Sequence, residues 1–121
     1  MNGIFLDDER QPEDVYWMKY PEVEWYVQSR AVDFLFCISQ LDNEVSDYIF
    51  SFDHDIQSYG LDGVEITGYD CLKHLVDFCF QFNYKLPVCY FHSKNGVGSE
   101  NMICYYDNAV RFQLGEYDNR Y

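Results

Sequence analysis

The feature that most constrains the fold is an alternation of short apolar runs with longer amphipathic segments. Runs at residues 3–6, 49–52 and 88–91 have the length of buried strands, and each ends abruptly at polar side chains. A fourth run at residues 23–27 alternates apolar and polar positions, which indicates an edge strand because Glu24 needs water. Strands separated by helices predict right-handed crossovers. We therefore expect an α/β three-layer sandwich with a mainly parallel sheet of four or five strands, covered on both faces.

Three segments between these runs have helical periodicity. Residues 30–41 carry an apolar face, and Ser29 is in position to cap that helix. Thr67 and Asp70 resemble a capping box ahead of a second helix that continues to residue 82. A third helix follows the loop at residues 95–98. The expected buried stripes are Ala31, Phe34, Leu35, Ile38 and Leu41, then Leu72, Leu75, Val76, Cys79 and Phe80, then Met102, Ile103, Tyr106, Ala109 and Val110.

The composition favours one domain over residues 1–121, with a loose polar tail at residues 115–121. Of the 121 residues, 48% are apolar and 20% aromatic, enough for a hydrophobic core, which excludes wholesale disorder. No apolar run reaches the roughly 18 residues of a membrane helix, and residues 1–10 carry acids where a signal peptide carries basic residues. The 5 cysteines lack a C-x-x-C pair and are interpreted as small buried hydrophobes, not disulfides or metal ligands. We expect a cytoplasmic protein without membrane contact.

The charge balance limits the range of partners. The chain has 8 Lys and Arg against 21 Asp and Glu, a net charge of −13, and its basic residues are scattered. Such a chain repels the phosphates of a long nucleic acid. The charge balance therefore favours a small or end-bound ligand over a long nucleic acid, and the acidic surface also suits a basic protein partner.

Polar side chains follow three of the four predicted strands, at the point where each strand ends. Because the carboxyl ends of parallel strands meet at one edge of a sheet, we expect these side chains to converge. Converging carboxylates repel one another unless a divalent cation or an arginine lies between them. Oxygen ligands suit Mg²⁺, Mn²⁺ or Ca²⁺ more than zinc, although two histidines leave a transition metal open. The three groups are Asp7, Asp8 and Arg10, then Asp53, His54 and Asp55, then His92, Ser93 and Asn95.

Arg10 and a glycine loop indicate that the site binds a phosphate group. A guanidinium binds a phosphate through two parallel hydrogen bonds, and backbone N–H groups of residues 95–98 ahead of a helix can bind the same anion. Each residue also has a structural interpretation. The Asp7 and Asp8 pair is equally typical of a loop start or a helix cap. His54 could serve only to orient a loop, and Ser93 and Asn95 are common turn residues.

At these residues the chain resembles the cyclic-phosphate-processing receiver-like domains, relatives of the response-regulator receivers found in bacteria and phages. The resemblance spans residues 4–102 and implies a receiver-like, flavodoxin-like fold with activity on cyclic phosphate ends of nucleotides or RNA. A small, acidic, tyrosine-rich chain would suit a phage, with the host cytoplasm as its location. The matching segments are IFLDDERQP (4–12), FDHDI (52–56), TGYD (67–70), LP (86–87) and HSKNGVGSENM (92–102).

The resemblance also implies roles for single residues. Asp7 and Asp8 match the acidic pair that holds a metal in receivers, and Asp53 matches the phospho-acceptor position. His54, Asp55, His92, Ser93 and Asn95 match motifs of the family itself. Two departures stand out. The chain lacks a fifth strand with the receiver lysine, which disfavours phosphorelay signalling, and Gly96 replaces an expected proline, which loosens that loop.

These observations predict a metal-dependent phosphoesterase that opens a cyclic phosphate on a nucleotide or RNA end, with Mg²⁺ or Mn²⁺ as cofactor. Imidazoles exchange protons near neutral pH, which suits acid–base catalysis. The alternative is a module without catalysis that sequesters a cyclic nucleotide or docks on a protein partner. The expected metal ligands are Asp7, Asp8, Asp53 and Asp55, the expected catalytic residues are Asp53, His54, His92 and Arg10, and the expected substrate-binding residues are Arg10, Ser93, Asn95 and Gly98.

Overall fold

Four parallel strands form the central sheet. The computed structural model describes residues 1–115, and the predicted tail therefore lies mostly outside the described residues. The strands are β1 (Asn2–Leu6), β2 (Glu24–Gln28), β3 (Tyr48–Phe52), β4 (Ser58–Tyr59), β5 (Glu65–Ile66) and β6 (Val88–Phe91). The sheet has the order β2-β1-β3-β6, and all of its neighbours are parallel. The expected receiver-like α/β architecture is confirmed, with four strands and with β2 at an edge.

Two helices connect strands and a third follows β6, and each was predicted to within a few residues. They are α1 (Ala31–Ser39), α2 (Gly68–Gln81) and α3 (Gly96–Gln113). Two short 3-10 turns occupy Pro12–Asp14 and Asp42–Asp47. Within residues 1–115, none of the helices combines the length and the apolar character that crossing a membrane requires.

The start of α2 was predicted correctly, whereas the start of α1 was not. Thr67 accepts the backbone N–H of Asp70 at 3.2 Å, and the Asp70 carboxylate accepts the backbone N–H of Thr67 at 2.9 Å, which completes the capping box. Ser29 does not cap α1, because the residue at that position is Arg30 and its side chain caps nothing. The free N–H of Ala31 is bound instead by the Ser58 hydroxyl, at 3.1 Å. A residue 27 positions away along the chain thus replaces the local cap.

The three helices pack against one face of the sheet. Helix α1 contacts α2, and α2 contacts α3. Their buried side chains share one core cluster with the alternate residues of the two central strands, namely Ile4 and Leu6 of β1 and Phe50 and Phe52 of β3. Alternation therefore assigns Phe5 and Ser51 to the opposite face.

An aromatic segment, residues 10–23, covers that opposite face. It runs from β1 to β2 and contains only one 3-10 turn, as its two prolines predict. Tyr20 from this segment packs edge-on against Trp25 and Tyr90, with ring centroids 4.9 Å and 5.3 Å apart. Phe5 lies beneath, stacked on His92 at 4.4 Å. The sheet thus lies between a helical layer and a thinner aromatic layer.

A small hairpin lies between β3 and α2. Strands β4 and β5 pair in antiparallel fashion, with Ser58 opposite Ile66 and Tyr59 opposite Glu65. Gly63 closes the turn with φ of +79°, a conformation that favours glycine. Two-residue strands are too short to carry a recognisable alternation, so no periodic pattern predicts them.

Three residues expected in the core are exposed. Phe80 and Ile103 lie at the margins of the apolar stripes of α2 and α3, with 37% and 42% of their surface accessible. Cys104 is exposed as well, so the expectation of five buried cysteines is wrong at that position. All five thiols are free. Burial raises the pKa of Cys71 to about 12 and that of Cys79 to about 11, which keeps both thiols protonated and unreactive.

Candidate functional site

The carboxyl ends of β1, β3 and β6 bring the predicted polar groups together. Hydrogen bonding continues one residue beyond each strand. The N–H of Asp53 donates to the carbonyl of Leu6 at 2.9 Å, and the N–H of His92 donates to the carbonyl of Phe52 at 3.0 Å. The N–H of Asp7 donates to the carbonyl of Gln28 at 3.1 Å. Backbone hydrogen bonds of the sheet therefore fix the main-chain positions of Asp7, Asp53 and His92.

Asp7, Asp8 and Asp53 form the acidic cluster at this edge. One carboxylate oxygen from each lies within 4.8 Å of the others. Asp7 is 1% exposed and Asp53 is 5% exposed, whereas Asp8 is partly exposed. Three carboxylate oxygens at this spacing match the donor chemistry of Mg²⁺ or Mn²⁺. The cluster can therefore bind a metal ion.

Arg10 is the positive charge beside the buried carboxylates. Its Nη1 lies 3.5 Å from Asp7 Oδ2 and 3.8 Å from Asp53 Oδ2. The guanidinium also lies over the Trp17 ring, 5.5 Å from its centroid. The predicted convergence of Arg10 with the acidic residues is thus present in the structure.

The two buried carboxyl groups have opposite pKa shifts. Burial, and then the charge on Asp7, raise the pKa of Asp53. Burial also favours a higher pKa for Asp7, but hydrogen bonds from His92 and from the backbone N–H groups of Arg10 and Glu9 outweigh it, and the pKa of Asp7 is lowered. Those backbone bonds to Asp7 Oδ1 are 3.0 Å and 2.8 Å long. Asp7 is therefore the carboxyl group that stays ionised. A bound cation would stabilise the ionised form of Asp53 the most, because that form is the one opposed by burial and by the Asp7 charge.

His92 lies beneath the site and not in it. Its ring is fully buried, and both nitrogens are bonded, Nε2 to Asp7 at 3.0 Å and Nδ1 to Ser51 at 2.6 Å. Since an ionised Asp7 accepts the Nε2 proton, Nδ1 accepts the Ser51 hydroxyl, which in turn accepts from Tyr20 at 2.5 Å. Burial raises the pKa of Tyr20 to about 12 and keeps it a donor. The expected direct contact of His92 with substrate disagrees with this burial, because the ring orients Asp7 instead.

His54 and Asp55 form a second pair on the other side of the cluster. Asp55 accepts the Nδ1 proton of His54 at 2.8 Å and an amide proton of Asn95 at 3.1 Å. The hydrogen bond from His54 lowers the pKa of Asp55, so the carboxylate is ionised at neutral pH. Asp55 lies outside the acidic cluster of the described chain, and its expected role as a metal ligand is therefore not supported. Its carboxylate holds His54 and the loop before α3 in place.

Two glycines allow the backbone to close around the site. A Cβ on Gly68 would lie 1.6 Å from the carbonyl oxygen of Asp53, and a Cβ on Gly98 would lie 2.5 Å from the His54 ring. The N–H of Gly98 donates to the Asn95 side chain at 3.0 Å, as part of the cap of α3. Gly98 therefore supports His54 and does not offer its N–H to an anion, contrary to the expectation from the sequence. The importance of Gly68 was not predicted, because it comes from close contact with the main chain of Asp53, which no local sequence pattern shows.

A pocket of about 200 Å³ opens at this edge of the sheet. The predicted site residues Arg10, Asp53, Asp55, Ser93 and Asn95 line it, and none of the lining residues within 1–115 is a histidine. Lys94 was missed, although it stands between two predicted residues, and its ammonium lies 4.4 Å from the centroid of the Trp17 ring. The lining residues are Glu9, Arg10, Asp53, Asp55, Gln57, Ser93, Lys94 and Asn95.

Comparison with known proteins agrees with this geometry. The family model described as "Cyclic-phosphate processing Receiver domain" matches residues 2–108, which is most of the chain. No curated protein and no solved structure shows a significant match. The match includes the four parallel strands and every residue of the acidic cluster. The chain therefore belongs to the cyclic-phosphate processing receiver domain family.

Proposed function

We propose that this domain hydrolyses a cyclic phosphate on a nucleotide or an RNA end and requires a divalent metal ion. The observation that carries the proposal is that Asp53, a member of the acidic cluster, lines one small pocket together with two cationic side chains, Arg10 and Lys94. Carboxylates bind a cation, and the two basic residues attract the phosphate. Both stabilise the charge that develops during phosphoryl transfer.

Asp7, Asp8 and Asp53 would hold the metal ion. When bound, Mg²⁺ or Mn²⁺ supplies Lewis acidity at a phosphoryl oxygen. The distances of 3.5 Å and 3.8 Å from Arg10 to its carboxylates exceed the roughly 2.7–2.9 Å of a tight charge-assisted hydrogen bond. Arg10 therefore keeps N–H groups available for the phosphate, where charge develops as the ring opens.

We assign proton transfer to His54. Asp55 fixes its tautomer by accepting the Nδ1 proton, and Nε2 makes no hydrogen bond to residues 1–115. Hydrolysis adds water at phosphorus and breaks one of the two ester bonds of the ring. The water loses a proton and the leaving oxygen gains one, so a single imidazole can serve both steps in turn. His92 acts as a positioning residue through Asp7.

The charge distribution favours a small or end-bound substrate. The net charge of −13 opposes binding along a nucleic acid, and Arg10 and Lys94 suffice for one phosphate group. We place this activity in the cytoplasm, or in the host cytoplasm if the chain is encoded by a phage. A basic protein partner on the acidic surface is compatible with the same fold.

The test is incubation of the purified protein with 2′,3′-cyclic nucleotides, RNA bearing a cyclic phosphate end, and cyclic oligonucleotides, in Mg²⁺, Mn²⁺ or EDTA. We expect ring opening only with metal, and a loss of at least about 100-fold in Asp53→Asn. Asp77→Asn is the matched control, because it removes an exposed carboxylate of α2 outside the pocket. Activity that persists in EDTA or in Asp53→Asn would contradict the proposal.

One observation favours a second candidate, a module that sequesters a cyclic nucleotide without turnover. None of the pocket-lining side chains within residues 1–115 is an imidazole, so binding does not depend on the proposed proton transfer. This candidate predicts saturable binding of one member of the same panel with no product. Product formation by the wild-type protein excludes it.

A further inference from the structure

A second cavity adjoins the acidic pocket, the name used here for the pocket lined by Asp53, Arg10 and Lys94. This cavity, here called the hairpin cavity, lies between α1 and the β4–β5 hairpin and has a volume of about 550 Å³. Gln57 borders both spaces, so the two are adjacent. The residues that make the hairpin cavity largely apolar are Val32, Leu35, Tyr59, Leu61 and Ile66.

The acidic pocket is too small to hold a whole nucleotide. Its 200 Å³ falls below the roughly 300–1,000 Å³ of typical small-molecule sites. The pocket can take a phosphate and part of a sugar, and a nucleotide must extend beyond it. The apolar hairpin cavity lies on the other side of Gln57 and is the adjacent space.

We propose that the hairpin cavity binds the nucleobase of the cyclic-phosphate substrate, so that one nucleotide spans both spaces. The proposal rests on the proposed function and adds the part of the substrate that sets affinity. Tyr59 lines the cavity with 65% of its surface exposed, which suits stacking on a base. Leu61, at the hairpin turn, is fully exposed, and a base would cover part of its side chain.

Gln57 occupies the junction in an unusual conformation. Its φ of +50° lies in the left-handed region, which a residue with a side chain rarely adopts. Such residues cluster at ligand sites, where the surrounding structure maintains them. The Gln57 amide makes no hydrogen bond to residues 1–115 and is exposed. It is therefore available to a ribose hydroxyl or to a base edge.

A rival platform for the base lies beside Lys94, which lines the acidic pocket. Tyr16 is 82% exposed, and the Lys94 ammonium lies 5.4 Å from the centroid of its ring. Tyr16 lines neither the acidic pocket nor the hairpin cavity, and its ring already contacts Trp17 edge-on. The hairpin cavity offers the larger enclosed apolar surface, and Tyr16 provides a matched control for Tyr59.

The experiment compares adenosine 2′,3′-cyclic phosphate with the base-free analogue 1-O-methylribose 2,3-cyclic phosphate. If one base stacks, wild-type kcat/KM should be about 5- to 150-fold higher for the nucleotide. Tyr59→Ala should lose most of this preference through KM, with the base-free substrate unaffected. Tyr16→Ala should keep the preference. Equal rates for both substrates in the wild-type protein, or loss of the preference in Tyr16→Ala alone, would overturn the base-binding proposal while the hydrolytic function stands.

Binding separates the two proposals if no substrate is turned over. The probe is then adenosine 2′-monophosphate, titrated into the wild-type protein and both variants and followed by backbone amide NMR shifts. Shifts at residues 57–66 that are lost in Tyr59→Ala would support the base site and reject hydrolysis. No binding to the wild-type protein would reject both.

Discussion

Replacing Gly68 with alanine should test how the backbone of α2 holds the acidic cluster. A Cβ at this position would lie 1.6 Å from the carbonyl oxygen of Asp53, 2.7 Å from its carbonyl carbon and 3.1 Å from the Cα of His54. These are main-chain atoms at the end of β3, so no side chain can rotate away to relieve the clash. Either α2 or the end of β3 must move.

The cost follows from two contributions. Overpacking costs about 1–3 kcal/mol, and more where the neighbour is rigid. The Gly68 N–H donates to the carbonyl of His54 at 2.7 Å, and weakening that bond adds about 1 kcal/mol. The better helix propensity of alanine returns less than about 1 kcal/mol at a helix terminus. We expect a net loss of about 3 kcal/mol, or about 10 °C in Tm.

The assay is urea denaturation of three alanine variants followed by circular dichroism. Gly96→Ala is the control, because a Cβ there meets no atom of residues 1–115 within 4 Å. Gly98→Ala should fall between the two, because its Cβ would meet the His54 ring at 2.5 Å and that ring can move. A Gly68→Ala protein within about 0.5 kcal/mol of the wild-type value would refute the reasoning.

Four further predictions concern the hydrogen-bonding network around the site and the cap of α2. Asp53→Asn should stabilise the protein by about 1 kcal/mol at pH 7, since burial and then the Asp7 charge raise the pKa of Asp53 and its ionised form opposes folding. This gain should disappear below pH 3.8, where the carboxyl is protonated in both states. Asp7→Asn should destabilise by about 1–3 kcal/mol, because despite burial the bond from His92 lowers the pKa of Asp7; the loss is full above pH 3.8 and fades as pH falls through the lower folded value. Urea titrations from pH 3 to pH 7 check both signs, and equal shifts in the two variants would contradict them. Ser51→Ala removes the donor to the buried Nδ1 of His92 and should cost about 1–3 kcal/mol, an expectation that an unchanged Tm would disprove. Thr67→Ala removes the cap of α2 and should cost about 1 kcal/mol by the same denaturation assay, with no change as the contrary result.

The architecture could be predicted because its determinants are local or periodic. The strands and helices of the main sheet follow from runs of apolar residues and from the capping box at Thr67. The errors occur where the structure of a segment depends on a residue that is distant in the sequence. Ser58 caps α1 from across the fold in place of Ser29, and the β4–β5 hairpin depends on two pairs of residues without a periodic signal.

The sequence predicts that the site residues meet, but it does not predict how deeply each of them is buried. Asp7, Asp53 and Arg10 meet because parallel strands end together, and this follows from the alternation of elements alone. The burial of His92 depends on which face of β6 it continues and on the aromatic segment that covers that face. Lys94 carried a weak signal as the cation within a predicted loop, whereas Gln57 carried none, since its importance comes from its position between two cavities.

The position of Trp17 gives the protein an optical reporter of its own site. Its indole N–H donates to the carbonyl of His92 at 3.0 Å, while Arg10 and Lys94 lie over the ring. Indole emission responds to nearby charge, so an anion that draws these two cations away from the ring will shift the spectrum. Trp25 packs on the aromatic layer against Phe5 and does not contact either cation. Emission from a Trp25→Phe protein therefore follows occupancy of the pocket without any added label.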